Sequence, residues 1–173
     1  MTQQEIIEKL RFIFSEVEKN GYFFTADTFF KRPRPEKWSA AENVQHLFLS
    51  AKPLVGLFGK PDFIKQQWGE SNRPSTSYDK VVNVYLEKIG NLGTAVPACV
   101  PDGLCSTQTE QLANLHAIHS KFIERASNLS EEVLDNNQIP HPLIGLLTVR
   151  EFLYFTHYHT QRHNDTITRL LRN

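Results

Sequence analysis

Four capping-box patterns divide this chain and constrain its fold more than any other feature of the sequence. They are Thr2-Gln-Gln-Glu5, Ser39-Ala-Ala-Glu42, Thr107-Gln-Thr-Glu110 and Thr148-Val-Arg-Glu151. In each pattern the hydroxyl can accept from the amide three residues on, and the glutamate can reach back to the first amide. Amphipathic sequence of roughly twenty residues follows each pattern, a length typical of globular helices. The sequence therefore predicts four long helices.

The spacing of apolar residues and the positions of glycine and proline set the expected bounds of the helices. The helices are predicted from Thr2 to about Lys19, from Ser39 to about Leu57, from Thr107 to about Asn128 and from Thr148 to about Leu171. Gly21 is expected to cap the end of the first helix, and Pro53 is a candidate for a kink in the second. A shorter fifth helix is predicted from Tyr78 to Ile89. Because no segment shows strand-like alternation, the sequence predicts an all-α four-helix bundle with one extra short helix, as a single domain over residues 1–173.

Charge and composition narrow the function. The chain has 19 basic and 19 acidic side chains, so it has no overall charge that favours nucleic acid or an anionic membrane. It has neither a signal-peptide layout nor an apolar run near the ~20 residues of a membrane span. Cys99 and Cys105 lack zinc or redox spacing and are expected to be reduced thiols in a loop. These features predict a cytoplasmic protein that binds neither nucleic acid nor a membrane, and they leave a small-molecule partner open.

Two histidines one helical turn apart, His159 and His163, occupy the apolar face of the last predicted helix. His157 lies off that face. Two imidazoles four residues apart can bind the same cation. A single buried histidine is more often a hydrogen-bonded core residue, so the spacing alone leaves both interpretations open. Two histidines on the same face of one helix favour a metal site more than a single histidine does. Without a metal, each buried imidazole would need its own hydrogen-bond partner.

Three sequence blocks carry a family resemblance. They are Lys37-Trp-Ser-Ala-Ala-Glu-Asn-Val-Gln-His46-Leu, His141-Pro-Leu-Ile-Gly-Leu-Leu-Thr-Val-Arg-Glu and Phe155-Thr-His-Tyr-His159-Thr-Gln-Arg-His163. Taken in order, they resemble the DinB/YfiT-like family over roughly residues 38–171. The resemblance implies an antiparallel four-helix bundle, often dimeric, with three histidines on a divalent metal, commonly nickel or zinc, and open positions filled by water. By motif position, the implied ligands are His46, His159 and His163.

The other candidate site residues have competing explanations. Periodicity alone leaves His46 at the boundary of its helix face, so its assignment rests on the resemblance. Glu42 can cap its helix or act as a base near the metal, and the capping box accounts for it fully. His119 is a possible fourth ligand, a donor to a ligand or, most commonly, a packed core residue. His141, before Pro142, is expected to position the loop that precedes the last helix.

Three neutral imidazoles with open positions would hold a Lewis-acidic cation that lowers the pKa of bound water or of a thiol. The segment between His159 and His163 lacks the glutamate of H-E-x-x-H zinc proteases, so a protease-like mechanism is not supported. Two reactions are consistent with such a site. One is hydrolysis, and the other is transfer of a low-molecular-weight thiol, which the resemblance implies. The alternative is a non-catalytic, stress-related binding or scaffold bundle with a structural or vestigial metal, which a fourth ligand from His119 would favour.

Two further expectations concern assembly and pH. The family tendency and the 12 phenylalanines predict a homodimer. The phenylalanines that follow the first helix, at positions 23, 24, 29 and 30, have an alternative role as a cover for the end of the bundle. Metal affinity is expected to fall as the pH drops through roughly 6.5, the ordinary pKa of histidine, because ligating imidazoles must be neutral.

Overall fold

The computed structural model describes residues 1–90, 95 and 97–172. Its helices are α1 (Gln3–Tyr22), α2 (Ala26–Phe30), α3 (Ala40–Phe58), α4 (Pro61–Trp68), α5 (Tyr78–Ile89), α6 (Gln108–Ser127), α7 (Glu131–Asn136) and α8 (Val149–Leu171). Two strands, β1 (Gln138–His141) and β2 (Gly145–Thr148), form an antiparallel hairpin, and Pro97–Cys99 forms one 3-10 turn. The four long helices α1, α3, α6 and α8 pack together as a four-helix bundle.

The predicted capping boxes begin the four long helices. The reciprocal pair of hydrogen bonds forms at Thr2, Ser39 and Thr148, whereas at Thr107 only the hydroxyl bond to the Glu110 amide forms. Each cap satisfies backbone amides that a helix start leaves without partners. The predicted starts of all four long helices are confirmed, and α5 has the predicted bounds.

The predicted role of Gly21 as a helix cap is wrong, because α1 continues through it to Tyr22. A Cβ atom at Gly21 would lie only 2.5 Å from Cδ2 of Leu112 on α6. Glycine is therefore used here for the close approach of two helices. α3 continues through Pro53, whose side chain is exposed, and a kink at this position stays a prediction.

The interior divides into two hydrophobic clusters along the bundle. The larger cluster contains the C-terminal half of α3 and the N-terminal part of α8, with Leu54 and Leu153 among its members. The smaller contains the opposite halves of these helices, with Val44 and Ile167. On α8, His159 and His163 lie between the residues of the two clusters, whereas on α3 His46 lies between Val44 and Leu47 of the smaller cluster. On α8, the polar site is therefore placed between the two apolar cores.

The phenylalanines after α1 mostly cover one end of the bundle. Phe24 and Phe29 are buried in the smaller cluster, and Phe30 packs against it. Phe23 is exposed. This arrangement supports the covering role for three of the four rings, and the homodimer stays a prediction. In the described part of the chain, no helix combines the length and apolarity that crossing a membrane requires.

The hairpin and three of the short helices, α2, α4 and α7, were not expected from the sequence. Each strand has only four residues and β1 contains Pro140, so no alternation of useful length is present. His141 closes the hairpin: its Nδ1 accepts hydrogen bonds from the amides of Leu143 (3.1 Å) and Ile144 (3.3 Å). The prediction that His141 positions the loop before the last helix agrees with these bonds.

Stability should fall in acid because of His141. Burial lowers the pKa of this imidazole to about 4, whereas in the unfolded chain it is about 6.5. Below pH 6.5 the unfolded chain therefore binds a proton that the folded chain resists, and up to about 3 kcal/mol is lost between pH 6.5 and 4. Replacing His141→Asn keeps a neutral acceptor in the turn. Urea unfolding at pH 7 and pH 5 should show a smaller pH difference for the variant than for the wild type; an equal difference would contradict this assignment.

Candidate metal centre

Three histidines from two helices converge inside the bundle. His46 comes from α3, and His159 and His163 come from α8; one ring nitrogen of each lies within 4.8 Å of the others. The Nε2 atoms of His46 and His159 are 3.0 Å apart. Among the described residues, no other cluster of three histidine, cysteine or acidic side chains has a metal-binding arrangement. The structure therefore brings together the three residues named from the sequence.

Aromatic rings enclose the histidine triad. His46 and His159 are buried, at 5% and 6% exposure, and His163 is half-buried. The Trp38 ring lies 5.0 Å from the His46 ring, and the Phe155 ring stacks on His159 at 5.1 Å, both measured between centroids. His163 is thus the most exposed member of the triad. Periodicity alone places His46 at the edge of the buried face of α3, whereas in the structure its side chain is buried.

Hydrogen bonds fix the orientation of two of the imidazoles. His46 Nδ1 donates to the carbonyl oxygen of Cys99 at 2.7 Å, and His163 Nδ1 lies 2.8 Å from Oδ1 of Asn43. The Asn43 amide is itself oriented, because its Nδ2 donates to the Ser39 carbonyl at 2.8 Å. Since these oxygens accept only, the protons are on the Nδ1 atoms and each Nε2 carries a lone pair. On His46 this lone pair accepts from Nε2–H of His159 at 3.0 Å when no metal is bound. A proton on Nδ1 with the lone pair on Nε2 is the usual arrangement for metal-ligating histidines.

The spacing fits a single cation. Two nitrogens that each lie about 2.1 Å from one metal are separated by about 3 to 3.5 Å. The distance of 3.0 Å between the Nε2 atoms of His46 and His159 agrees with this range. The triad could therefore hold a divalent metal without rearrangement of these two rings.

Burial also keeps the imidazoles in the neutral form that can bind a metal. Desolvation lowers the pKa of His46 and holds the pKa values of His159 and His163 well below the ordinary value, with repulsion from His46 adding to the effect on both. All three are therefore neutral at pH 7, as metal ligands must be. The pH at which protons begin to compete with a metal consequently lies below the 6.5 expected from the sequence.

Glu42 is a helix cap. Its carboxylate accepts from the Ser39 amide at 2.8 Å and forms a two-oxygen ion pair with Arg32, with Nε at 2.9 Å from each oxygen. It is not part of the metal-binding group. The prediction of a cap agrees with these contacts, and a role as a base near the metal is not supported.

The remaining histidines and the thiols lie outside the triad. His119 is a packed core residue, stacked on Phe14 with ring centroids 3.7 Å apart. His157 shares a hydrogen bond of 2.9 Å with the Tyr78 hydroxyl. Neither belongs to the metal-binding group. Cys99 and Cys105 are free thiols, as expected.

Two orienting groups were missed by the sequence analysis. Asn43 lies one helical turn before His46 on α3. An amide side chain at that spacing from a predicted ligand could have indicated that Asn43 orients a ligand. The Cys99 carbonyl is a backbone group of the 3-10 turn, and its contact with His46 depends on how the chain returns over α3. No side-chain pattern indicates such a contact.

Loss of the Asn43 amide should weaken metal binding. Asn43→Ala leaves the Nδ1 proton of His163 without its acceptor, and outer-shell changes of this kind typically cost about 10- to 100-fold in metal affinity. Asn43→Asp keeps an oxygen acceptor at the same place and should retain most of the affinity. Competition titration against a chromophoric chelator measures both variants. Equal losses in both would show that Asn43 acts on the fold alone.

Comparison with known proteins identifies the family and the fold of this chain. The family model of the DinB superfamily matches residues 23–167, which include all three histidines. The fold is similar to that of YfiT from Bacillus subtilis, described as a probable metal-dependent hydrolase with an unusual four-helix bundle topology: the TM-score is 0.64 and the identity is 17%, over 99% of this chain and 89% of that one. No curated protein matches the sequence. The family match covers most of the chain, and the chain therefore belongs to the DinB superfamily.

Proposed function

We propose that this protein is a metal-dependent enzyme acting on a small molecule, with a divalent nickel or zinc ion held by His46, His159 and His163. The observation that carries the proposal is the convergence of three neutral imidazoles within 4.8 Å. The description of YfiT as a probable metal-dependent hydrolase supports hydrolysis as the reaction.

The number of ligands favours catalysis over a structural metal. Structural zinc sites are usually closed by four protein ligands, whereas catalytic sites keep a position open for water or substrate. The described residues supply three ligands, and His119, the candidate fourth, is occupied with Phe14 and Glu18 instead. The partial exposure of His163 marks the side from which a substrate can approach.

The protein's own groups hold and shield the site. The Cys99 carbonyl and Asn43 keep the Nε2 lone pairs of two ligands directed inward, and the Trp38 and Phe155 rings limit the access of water. A bound cation would supply Lewis acidity, lowering the pKa of a coordinated water or thiol. Glu42 is held by Arg32 and by its own helix start, so it is not available as a general base.

Thiol transfer is the second candidate reaction, and the engagement of Glu42 elsewhere favours it. A thiol has a pKa of about 8.5, which is far closer to neutrality than the pKa of water. Activation of a low-molecular-weight thiol therefore requires less help from a protein base than activation of water. The two reactions need the same three imidazoles and differ in the nucleophile that is bound.

A paired activity screen tests the proposal. The purified protein is stripped with a chelator and reloaded with Zn²⁺ or Ni²⁺, and both forms are assayed with an activated ester and with a small thiol plus an aryl chloride. We expect turnover in one assay that requires the metal and is lost in His159→Ala. Metal-bound protein that is inactive in both assays would favour the scaffold alternative.

A further inference from the structure

A second buried polar cluster lies inside the bundle near the triad. His119 on α6 is only 3% exposed, and its Nδ1 lies 3.1 Å from Oε1 of Glu18 on α1. The other carboxylate oxygen of Glu18 is 2.8 Å from Nδ1 of the exposed His116. Because an ionised carboxylate only accepts, Nδ1 of His119 carries the proton and its Nε2 has a free lone pair.

A small cavity lies between His119 and His159. Its volume is about 20 Å³. All four long helices contribute to its wall, which consists of Phe14, Leu47, Ser50, Ala51, Leu54, His119, Phe155, Thr156, His159 and Thr160. A buried water needs a space of about 10 to 15 Å³ and two to four polar partners. The cavity is therefore large enough for one water molecule.

Three polar atoms of cavity-lining residues lack a protein partner in the described part of the chain. They are Nε2 of His119, Nδ1 of His159 and the hydroxyl of Thr160, whereas the Thr156 hydroxyl donates to the Phe152 carbonyl at 2.8 Å. Every described buried side-chain nitrogen or oxygen that is closed to water has a hydrogen-bond partner. The three free atoms therefore border space that water can enter.

We propose that one water molecule in this cavity links His119 to His159. With a metal bound at His159 Nε2, the water accepts from Nδ1–H of His159 and donates to Nε2 of His119 and to the Thr160 hydroxyl. Without a metal, Nε2–H of His159 donates to His46 Nε2 at 3.0 Å, so the water donates to His159 Nδ1 and His119 Nε2 and accepts from the Thr160 hydroxyl. His46 and His163 have protein acceptors for their outer nitrogens, and this water serves the same purpose for the third imidazole. His119 and Thr160 are thus positioning residues for His159, a role that rests on the proposed metal function.

The water itself can be observed without any metal. A crystal structure of the metal-free protein at about 1.5 Å resolution should show an ordered water within hydrogen-bond distance of His119 Nε2, His159 Nδ1 and the Thr160 hydroxyl. An empty cavity, or a direct side-chain contact that fills it, would overturn the proposal. This result is independent of whether the triad binds metal.

A matched pair of threonine variants tests the positioning role. Thr160→Val removes a hydroxyl assigned to the water, while Thr156→Val removes one that is occupied with its own helix. We expect Thr160→Val to weaken Zn²⁺ binding several-fold and His119→Phe, which keeps the stacking on Phe14, to weaken it about 10-fold. Thr156→Val should stay within about twofold of wild type by the same reasoning. Equal effects of the two threonine variants would overturn the role of the water.

Nitrogen NMR gives a readout that a purely structural effect would not change. In the zinc-bound wild type, the His159 ring should be a single tautomer with its proton on Nδ1, in slow exchange with solvent. His119→Phe should make that proton exchange faster while the signals of His46 and His163 stay as they are. Unchanged exchange at His159 would overturn the link. A wild type that binds no zinc would instead reject the proposed function, and the crystallographic water still decides the link.

Discussion

Replacing His159 by alanine is expected to weaken Zn²⁺ or Ni²⁺ binding by about a thousandfold, because only two of the three converging imidazoles remain. His163→Ala should have an effect of the same size. The loss should appear in isothermal titration of the chelator-treated protein, with circular dichroism confirming that the helices are intact. Both changes leave the capping boxes and the two hydrophobic clusters in place.

The control for these variants is His157→Ala on the same helix. His157 bonds to the Tyr78 hydroxyl and is not part of the triad, so its removal should leave metal affinity within about twofold of wild type. A His157 variant that loses the metal while His159→Ala retains it would contradict the geometry of the site. It would also contradict the helical periodicity that places His159 and His163 on the apolar face of α8 and His157 off it.

Glu151→Ala is expected to lower the free energy of unfolding by about 2 to 4 kcal/mol, because a helix cap and a charged acceptor for several donors are lost together. The Glu151 side chain is fully buried and accepts from two nitrogens of Arg73, at 2.6 and 2.8 Å. It also accepts from the amide and hydroxyl of Thr76 and from the amide of Thr148. Its loss therefore removes the cap of α8 and leaves several donors without an acceptor.

Glu110→Ala is the matched control, since Glu110 occupies the same position of a capping pattern at the start of α6. Glu110 is exposed and does not complete the reciprocal bond. Urea denaturation should therefore show a much smaller loss for Glu110→Ala than for Glu151→Ala. Similar losses would mean that the buried network around Glu151 adds little stability.

The same network predicts a sign for the acid dependence of Glu151. Burial by itself raises its pKa, but Arg73 and the surrounding N–H and O–H donors hold the pKa below the ordinary value. A carboxyl with a lowered folded-state pKa stabilises the protein above its unfolded-state pKa of about 4.3. This contribution is lost as the pH falls below that value, so the wild type should lose more stability there than Glu151→Ala.

The long helices could be predicted from the sequence because their starts depend on local chemistry. A hydroxyl and a glutamate three residues apart satisfy the first amides whatever the helix later packs against. Gly21 shows the limit of local inference: the same residue that ends helices also lets two helices approach closely, and only the position of Leu112 distinguishes the two uses. The hairpin at residues 138–148 was missed because four-residue strands carry too little periodicity.

The triad was predictable to different degrees. His159 and His163 share the apolar face of one helix, so their spacing alone placed them together. His46 is buried because Trp38 and the turn at Cys99 cover α3 from outside the bundle, which a helical wheel does not record. The contact between His46 and His159 spans 113 residues of chain, and it was inferred from family motifs rather than from periodicity.

X-ray absorption of the metal-loaded protein tests the central claim most directly. After loading with Zn²⁺ or Ni²⁺ and removal of the excess, we predict one metal ion per chain with a spectrum that requires three imidazole ligands and light oxygen or nitrogen donors in the remaining positions. A protein that retains no metal, or a spectrum that requires sulfur ligands from Cys99 or Cys105, would contradict the assignment of His46, His159 and His163 as the metal centre.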